Sequence, residues 1–375
     1  MMSRHGGLSV VWAALLLVAT GCGPGKDFAI VGCEPSDGLA PICGFHNPED
    51  IVLSPSGRLL VVSQLSSEEE HAPGSLVVFD PATSTKTPLL QGARIDGASG
   101  EWGSSECTPL ELGRINPHGI DIEQRSDGRS ELFVVNHGDR ESVELFEVVE
   151  SDVQLSLVPR GCVNAPPNAF LNDVVGLRDG GFWASHMYPH DSVQTLVLLR
   201  MLLTSYAPGM AYEWKPDSGF RIIPGTEVQF GNGVEKSEDE RFLFLNGYLG
   251  NEVVKIDVAA GRRMGNVTVE HPDNLSWSPD GLLLVASHRG SILKTKDCFS
   301  LKEGTCPVPF AIVGVNTDTM TARTLLEQDG PPMGAATVAR VLGEDVYLGT
   351  FAGDRIARLS RQRLQTPAAD AAIAP

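Results

Sequence analysis

Seven side chains, Glu49, Asp50, Asn172, Asp173, Asn232, Asp273 and Asn274, carry oxygen donors and recur at matching places in a repeated sequence pattern. Carboxylates and amides gathered without thiolates form the donor set of a hard cation, and calcium suits it best. A lone Asp or Asn ahead of a strand is usually a turn former or a cap. Oxygen-rich residues at matching positions in five units make a shared site the stronger reading, either catalytic or a structural plug on an axis. The pattern also offers His118 and His137, a pair suited to act as general base and orienter beside such a cation. No GxSxG elbow, P-loop or dinucleotide fingerprint occurs in its required setting, and no Cys/His spacing marks a zinc site.

Six stretches hold these residues: NPEDIVLSPSGRLLVVSQ (47–64), NPHGIDIEQRSDGRSELFVVNH (116–137), LNDVVGLRDGGFWASH (171–186), GNGVEKSEDERFLFLN (231–246), PDNLSWSPDGLLLVASH (272–288) and ATVARVLGEDVYLGTF (336–351). Each reads as a polar cluster, an apolar strand, a Gly/Asp turn and a second apolar strand. Such repeats predict an all-β fold, a six-bladed β-propeller with one or two accessory helices, whose innermost strands open around a central calcium site. Forty glycines and 25 prolines suit the many turns this requires. The units average about 59 residues once a 21-residue leader is removed, above the roughly 40–50 of common blades, so long loops are expected at 65–115 and 187–230.

Constant index sums across each turn set the register. Asp127-Gly128 places His118 opposite His137, Asp280-Gly281 places Asp273 opposite His288, and a turn near Asp179-Gly180 places Asp173 opposite His186. Second strands then end in Gln64, His137, His186, Asn246 and His288, on the face where the oxygen ring begins. The sixth unit offers only Ala336 and Phe351, so the ring is expected to be open on that side. The run VQTLVLLRMLLT (193–204) is too short to span a bilayer. It reads as an amphipathic helix over the pocket or at a membrane surface, with core packing the simpler assignment.

The formal net charge of −18 argues against nucleic acid or an anionic membrane surface as a partner. Arg4 and His5, an apolar run from Leu8 to Ala19 and the small residues before Cys22 read as an export signal. Cys22 resembles the lipidated cysteine of bacterial lipoproteins, and Gly23 after it favours the outer membrane; ordinary secretion is the alternative. The chain is then exported from a bacterial cytoplasm, touching the membrane through a lipid anchor only, or else periplasmic or secreted. The expected organisation is a signal peptide over 1–21, a tether over 22–46, the propeller over 47–360 and a flexible tail over 361–375. Six further cysteines, an even number in an exported chain, point to disulfides. Closeness in sequence pairs Cys33 with Cys43 and Cys298 with Cys306, leaving Cys107 with Cys162.

NPHGI (116–120), LFVVNHGDRESVELFEV (132–148), LND (171–173), FGNGV (230–234) and DNLSWSPDG (273–281) resemble, in the same order, motifs of the paraoxonase (arylesterase/lactonase) family. The resemblance covers about 47–360 and is most specific in NPHGI followed by VVNH; gluconolactonases and strictosidine-synthase-like propellers share the architecture with fewer motifs. It implies two calcium ions. A catalytic ion would be held by Glu49, Asn172, Asn232, Asp273 and Asn274, and a structural ion by Asp50, Asp173 and the backbone carbonyl of Ile120. His118 and His137 match the pair that activates water, and His288 matches a further pocket histidine. Two departures stand out: FWASHMY is one residue shorter than the family's form, and no cysteine after Cys306 can make the family's disulfide between the chain's ends. The expected activity is calcium-dependent hydrolysis of small-molecule lactones, with secondary aryl-ester hydrolysis. His118 would be the base, or else Asp273 or Glu49. A gluconolactonase-like sugar lactonase and a non-catalytic, calcium-stabilised binding propeller on the outer membrane are the alternatives.

Overall fold

The computed structural model describes residues 28–66, 73–90, 101–108, 112–152 and 154–365; the expected export signal, Cys22 and residues 366–375 of the expected tail lie outside them. Short strands that alternate inward and outward side chains, joined by Gly/Asp turns, form six sheets. Their innermost strands are Pro48–Leu53, Pro117–Gln124, Leu171–Gly176, Gly231–Lys236, Pro272–Trp277 and Ala336–Leu342, numbered here as blades one to six. These are the six repeats, each followed outward by its hairpin partner, and the chain is a six-bladed β-propeller. Blade two carries an extra short strand, Trp102–Gly103, parallel to Leu155–Asn164.

Apolar residues fill the spaces between blades. Val52, Val61, Leu76 and Val78 of blade one meet Ile120, Leu132, Val134 and Phe146 of blade two in one such cluster. Both faces of a blade are therefore taken by its neighbours, and only the innermost strands look onto the central axis. The ring closes through Ala40–Cys43, which adds to blade six as its outermost strand, with Ala40 opposite Arg358 and Cys43 opposite Arg355. Arg355 is buried and donates to the carbonyls of Pro332 at 3.2 Å and Ile30 at 3.4 Å, tying the N-terminal segment to that blade. A strand ladder thus does the work of an end-to-end disulfide. The cysteines pair locally as expected: Cys33–Cys43, Cys107–Cys162 and Cys298–Cys306.

Two helices occupy the loops after the second strands of blades three and five: α1, Gln194–Leu203, and α2, Ile292–Asp297. Helix α1 departs from core packing, the simpler assignment from sequence. It buries Val197 and Met201 and leaves Leu196, Leu199, Leu202 and Leu203 exposed. A helix laid on the end of a blade has only one stripe to bury. Among the described residues no helix is long and apolar enough to cross a membrane.

One irregularity repeats in every blade. In blade two Pro117 pairs with Asn136, but the next pair is Ile120 with Val134. Blades three to six skip in the same place, and blade one skips between Pro48 and Asp50. Each skip is a β-bulge, which frees residues from the ladder and re-aims their side chains. It corrects the register read from index sums. His118 and Asp273 fall inside bulges and have no ladder partner, and His186 pairs with Leu171 rather than Asp173. Turn positions alone do not reveal an extra residue beyond the turn.

Candidate functional site

The bulges carry the chemistry. They hold Glu49, His118 and Gly119, Asn172 and Asp173, Asn232 and Gly233, Asp273 and Asn274, and Thr337 and Val338, with Asp50 directly after its own bulge. Contacts between blades, one of them between non-adjacent blades five and one, place them on the axis. Asn274 Nδ2 of blade five donates to Glu49 Oε1 of blade one at 2.8 Å, and His118 Nε2 of blade two lies 3.7 Å from the same oxygen. Asn232 hydrogen-bonds Asp273, and the amide of Asn246 donates to the Asp273 carbonyl.

Four oxygens of this ring are buried without a hydrogen-bond partner: Glu49 Oε2, Asn172 Oδ1, Asn232 Oδ1 and Asn274 Oδ1. Leaving one such atom unsatisfied costs about 1–3 kcal/mol, so four in one place fit a group that accepts lone pairs. Among the described residues no three His, Cys, Asp or Glu side chains gather as a metal cluster; here two carboxylates meet amides instead. That all-oxygen chemistry fits a hard divalent cation rather than zinc. The electrostatics agree. Burial, reinforced by Asp50, Asp273 and Asp173, raises the Glu49 carboxyl well above its ordinary range, and burial pushes Asp273 up to about 8. A cation on the axis would reverse both shifts.

Asp50 and Asp173 are buried beside this ring and are better satisfied. Asp50 accepts from the N–H groups of Ile51 at 2.7 Å and Ile120 at 2.9 Å; Asp173 accepts from Val174 and Val234, both at 2.8 Å. Each thus stitches its own blade to the next. Both carboxyls are raised by burial, and Asp173 also by the charge of Asp50. Glycine makes the approach possible: a Cβ on Gly119 would stand 2.3 Å from Asp173 Oδ1, and one on Gly233 would stand 2.5 Å from the Asp273 carbonyl oxygen. It is the Ile120 amide, through its N–H, that contacts Asp50.

The histidines meet although the ladder does not pair them. His118 Nδ1 is 2.9 Å from His137 Nε2, and His137 Nδ1 is 3.0 Å from Glu141 Oε2. Glu141 Oε1 is fixed in turn by the Leu171 N–H at 2.7 Å. A carboxylate only accepts, so polarity assigns the protons: His137 carries its proton on Nδ1, His118 carries its own on Nδ1, and the His118 Nε2 lone pair faces the ring. Burial, then His137, holds the His118 pKa well below the ordinary histidine value, which keeps it neutral. His288 lies across the ring, with Nε2 3.4 Å from Asp273 Oδ2.

Other second-strand ends are structural. Gln64 accepts from the His46 N–H at 2.8 Å and donates to Ser75 at 2.7 Å. His186 Nδ1 accepts the Phe170 N–H at 3.0 Å, and its ring packs on Tyr212. Sequence reasoning missed Glu141, Tyr248 and a belt of aromatic rings. The belt runs without a break from His137 through Phe170, Tyr188, Phe230, Tyr248 and His288 to Phe351 and Phe299, with neighbouring centroids 4.9–5.8 Å apart. His137 and Glu141 at i and i+4 in NHGDRE were a usable signal; the belt draws on five separate blades and had none. On the side of blades six and one, a cavity of about 490 Å³ is lined by Phe45, Leu65, Phe299, Leu301 and Phe351, among others.

Fold and site together define a six-bladed propeller with an oxygen-lined axial centre. Solved structures support the fold. A luciferin-regenerating enzyme superposes with TM-score 0.52 at 14% identity, covering 85% of this chain and 93% of its own. A gluconolactonase from Xanthomonas campestris superposes with TM-score 0.50 at 16% identity, covering 86% and 89%. Over residues 47–355 the chain matches the Arylesterase family, and it belongs to that family. It is 28% identical over 243 residues to serum paraoxonase/arylesterase 2 of Gallus gallus, covering 62% of this chain and 63% of that protein. It is 27% identical over 206 residues to serum paraoxonase/lactonase 3 of Mus musculus, covering 53% of each. The matches thus span less than two thirds of either relative's length.

Proposed function

We propose that this protein is a calcium-dependent hydrolase of lactones, with aryl esters as secondary substrates. The observation that carries the reading is the cluster of orphaned ring oxygens beside the open Nε2 of His118. Membership of the Arylesterase family and the names of the two relatives support the same chemistry. Glu49, Asn172, Asn232, Asp273 and Asn274 would hold the catalytic ion, and Asp50, Asp173 and the Ile120 carbonyl a second, structural one. A bound calcium supplies Lewis-acid polarisation of the ester carbonyl and charge stabilisation for the oxyanion.

The chain's own residues handle the proton. His118 takes it from the attacking water at Nε2, a step that typically contributes about 10²–10⁴-fold. Charge developing on His118 is shared through its Nδ1–H with His137, and Glu141 stabilises the pair. His118 then returns the proton to the leaving alkoxide. The aromatic belt favours lactones with apolar or aryl substituents over sugar lactones, because it offers ring faces rather than hydroxyl partners. The three disulfides suit an oxidising compartment, in keeping with export and an outer-membrane anchor at Cys22.

Lactone hydrolysis before and after chelation, with calcium then restored, tests the reading. Loss and recovery of turnover support it. Calcium-loaded, folded protein inert on a broad lactone and aryl-ester panel would overturn it in favour of a binding propeller.

A further inference from the structure

One place in the ladder recurs around the ring. The residue opposite the last paired position before each bulge is Gln64, Asn136, His186, Gly247, Ser287 or Thr350. In five blades its side chain ties down the backbone that leads into the inner strand. Gln64 accepts from the His46 N–H at 2.8 Å, Asn136 from the Asn116 N–H at 2.9 Å and His186 from the Phe170 N–H at 3.0 Å. Ser287 and Thr350 donate to the carbonyls of Glu270 and Gly334. Gln64 also donates to Ser75 in the next strand, as Asn136 does to Ser142. Among the described residues, only blade two adds a grip on the turn between: Asn136 Nδ2 donates to the carbonyls of Gly138 at 2.9 Å and Arg140 at 3.2 Å. That turn carries His137 and Glu141. We infer that Asn136 is a positioning residue of the histidine pair: one end of its amide holds the lead-in to His118, and the other holds the His137–Glu141 turn.

Backbone groups set the direction of this amide. Two N–H groups, of Asn116 at 2.9 Å and Gly138 at 3.0 Å, point at one end, which is therefore Oδ1. The carbonyls of Gly138 and Arg140 face the other, which is therefore Nδ2. No ionisation enters, and a flipped amide would set donor against donor and acceptor against acceptor. Asn136 is 0% exposed, so water does not replace a lost bond.

The local chain needs such a clamp. Pro117, the ladder partner of Asn136, has no N–H to give, and the bulge after it takes His118 out of the ladder. Asp139 sits at φ 57°, a left-handed conformation uncommon outside glycine, and its flanking residues supply the two carbonyls that Asn136 holds. The turn also lies directly on the segment leading to His118. The Asn116 carbonyl accepts the His137 N–H at 3.0 Å, and a Cβ on Gly138 would stand 1.8 Å from the Arg114 carbonyl oxygen. Lead-in and turn bear the two histidines that meet at 2.9 Å, so a slip of either one separates the rings. A misplacement of about 1 Å can cost on the order of 10²-fold in rate.

The inference rests on the proposed function in taking His118 and His137 as the pair that handles the proton. Asn136→Asp keeps the acceptor end and removes the donor end. Asn136→Ser installs the residue type that blade five uses at this place and is too short to reach the turn. In each, kcat on lactones should fall about 10–100-fold with KM within a few-fold. Gln64→Glu makes the first exchange in blade one and should leave kcat unchanged, which separates positioning from a general loss of ladder order. Added to Glu141→Gln, Asn136→Asp should lower kcat by less than about threefold more, because both act through one contact. A kcat within about twofold of the unsubstituted protein, an equal loss from Gln64→Glu, or losses that multiply would overturn the assignment. Crystal structures of the two Asn136 variants decide it independently of turnover. The His118 Nδ1–His137 Nε2 contact of 2.9 Å or the His137 Nδ1–Glu141 Oε2 contact of 3.0 Å should open beyond about 3.5 Å. Both unchanged would sink the inference. An unsubstituted protein without turnover would remove the hydrolase reading, while those two distances still decide this one.

Discussion

His118 and His137 meet nitrogen to nitrogen at 2.9 Å, although neither is the other's partner in the strand ladder. The bulge that removes His118 from the ladder is what brings its ring to His137. The contact also gives each nitrogen a fixed role, with His118 Nε2 as the one basic atom of the pair that faces the ring.

His118→Gln therefore separates the candidate bases. If His118 takes the proton, kcat should fall about 10²–10⁴-fold while calcium affinity stays within a few-fold. Near-normal turnover with calcium bound would transfer the role to Glu49 or Asp273. Lactone kinetics and a calcium titration on the same preparation decide it.

Glu141→Gln keeps a similar shape but removes the charge that balances a protonated histidine pair. Only one of the two bonds, to Leu171 N–H or His137 Nδ1–H, can keep its acceptor. A kcat at least about 10-fold lower is expected, with KM little changed, because the missing interaction matters most when charge develops. Steady-state kinetics would show a KM-only effect if Glu141 merely shaped the pocket.

Gly119→Ala tests the packing of the axis. The new Cβ would stand 2.3 Å from Asp173 Oδ1 and 2.5 Å from Asp173 Cα, and backbone cannot yield as a flexible side chain does. Overpacking of this kind typically costs about 1–3 kcal/mol, and the upper half of that range is expected here. Denaturant unfolding measures it, and an unchanged midpoint would mean that blades two and three are less rigidly stitched than their contacts imply.

His186 gives a signed pH effect. Burial lowers its pKa to about 4, and the Phe170 N–H occupies Nδ1. The unfolded chain binds a proton below about pH 6.5 while the folded one does not. Stability is therefore full above pH 6.5 and is lost as pH falls toward 4, by up to about 3 kcal/mol from this residue. His186→Gln, which cannot charge, should flatten the unfolding midpoint across that window. An equally steep profile would assign the acid sensitivity elsewhere.

Much of the architecture was legible in the chain. Six polar–strand–turn–strand units fixed the number of blades, because each unit is a local hairpin whose period-2 pattern and turn residues need no distant partner. Closeness in sequence was enough to pair Cys33 with Cys43 and Cys298 with Cys306, and so to leave Cys107 for Cys162. Residue types alone also marked the openings of the inner strands, Glu49-Asp50, Asn172-Asp173 and Asp273-Asn274, as oxygen donors. Tertiary structure decided how they are used. Asp50 meets the Ile120 amide 70 residues away, and Asn274 meets Glu49 across 225. Those bonds exist only once blades stand around an axis, and the crowding there is eased by glycines and by a bulge in every inner strand. The partners of the histidines follow the same rule. Tyr248 and His288 sit in different blades, so no pattern along the chain could join them, and only the closed ring sets a phenol 2.9 Å from an imidazole nitrogen.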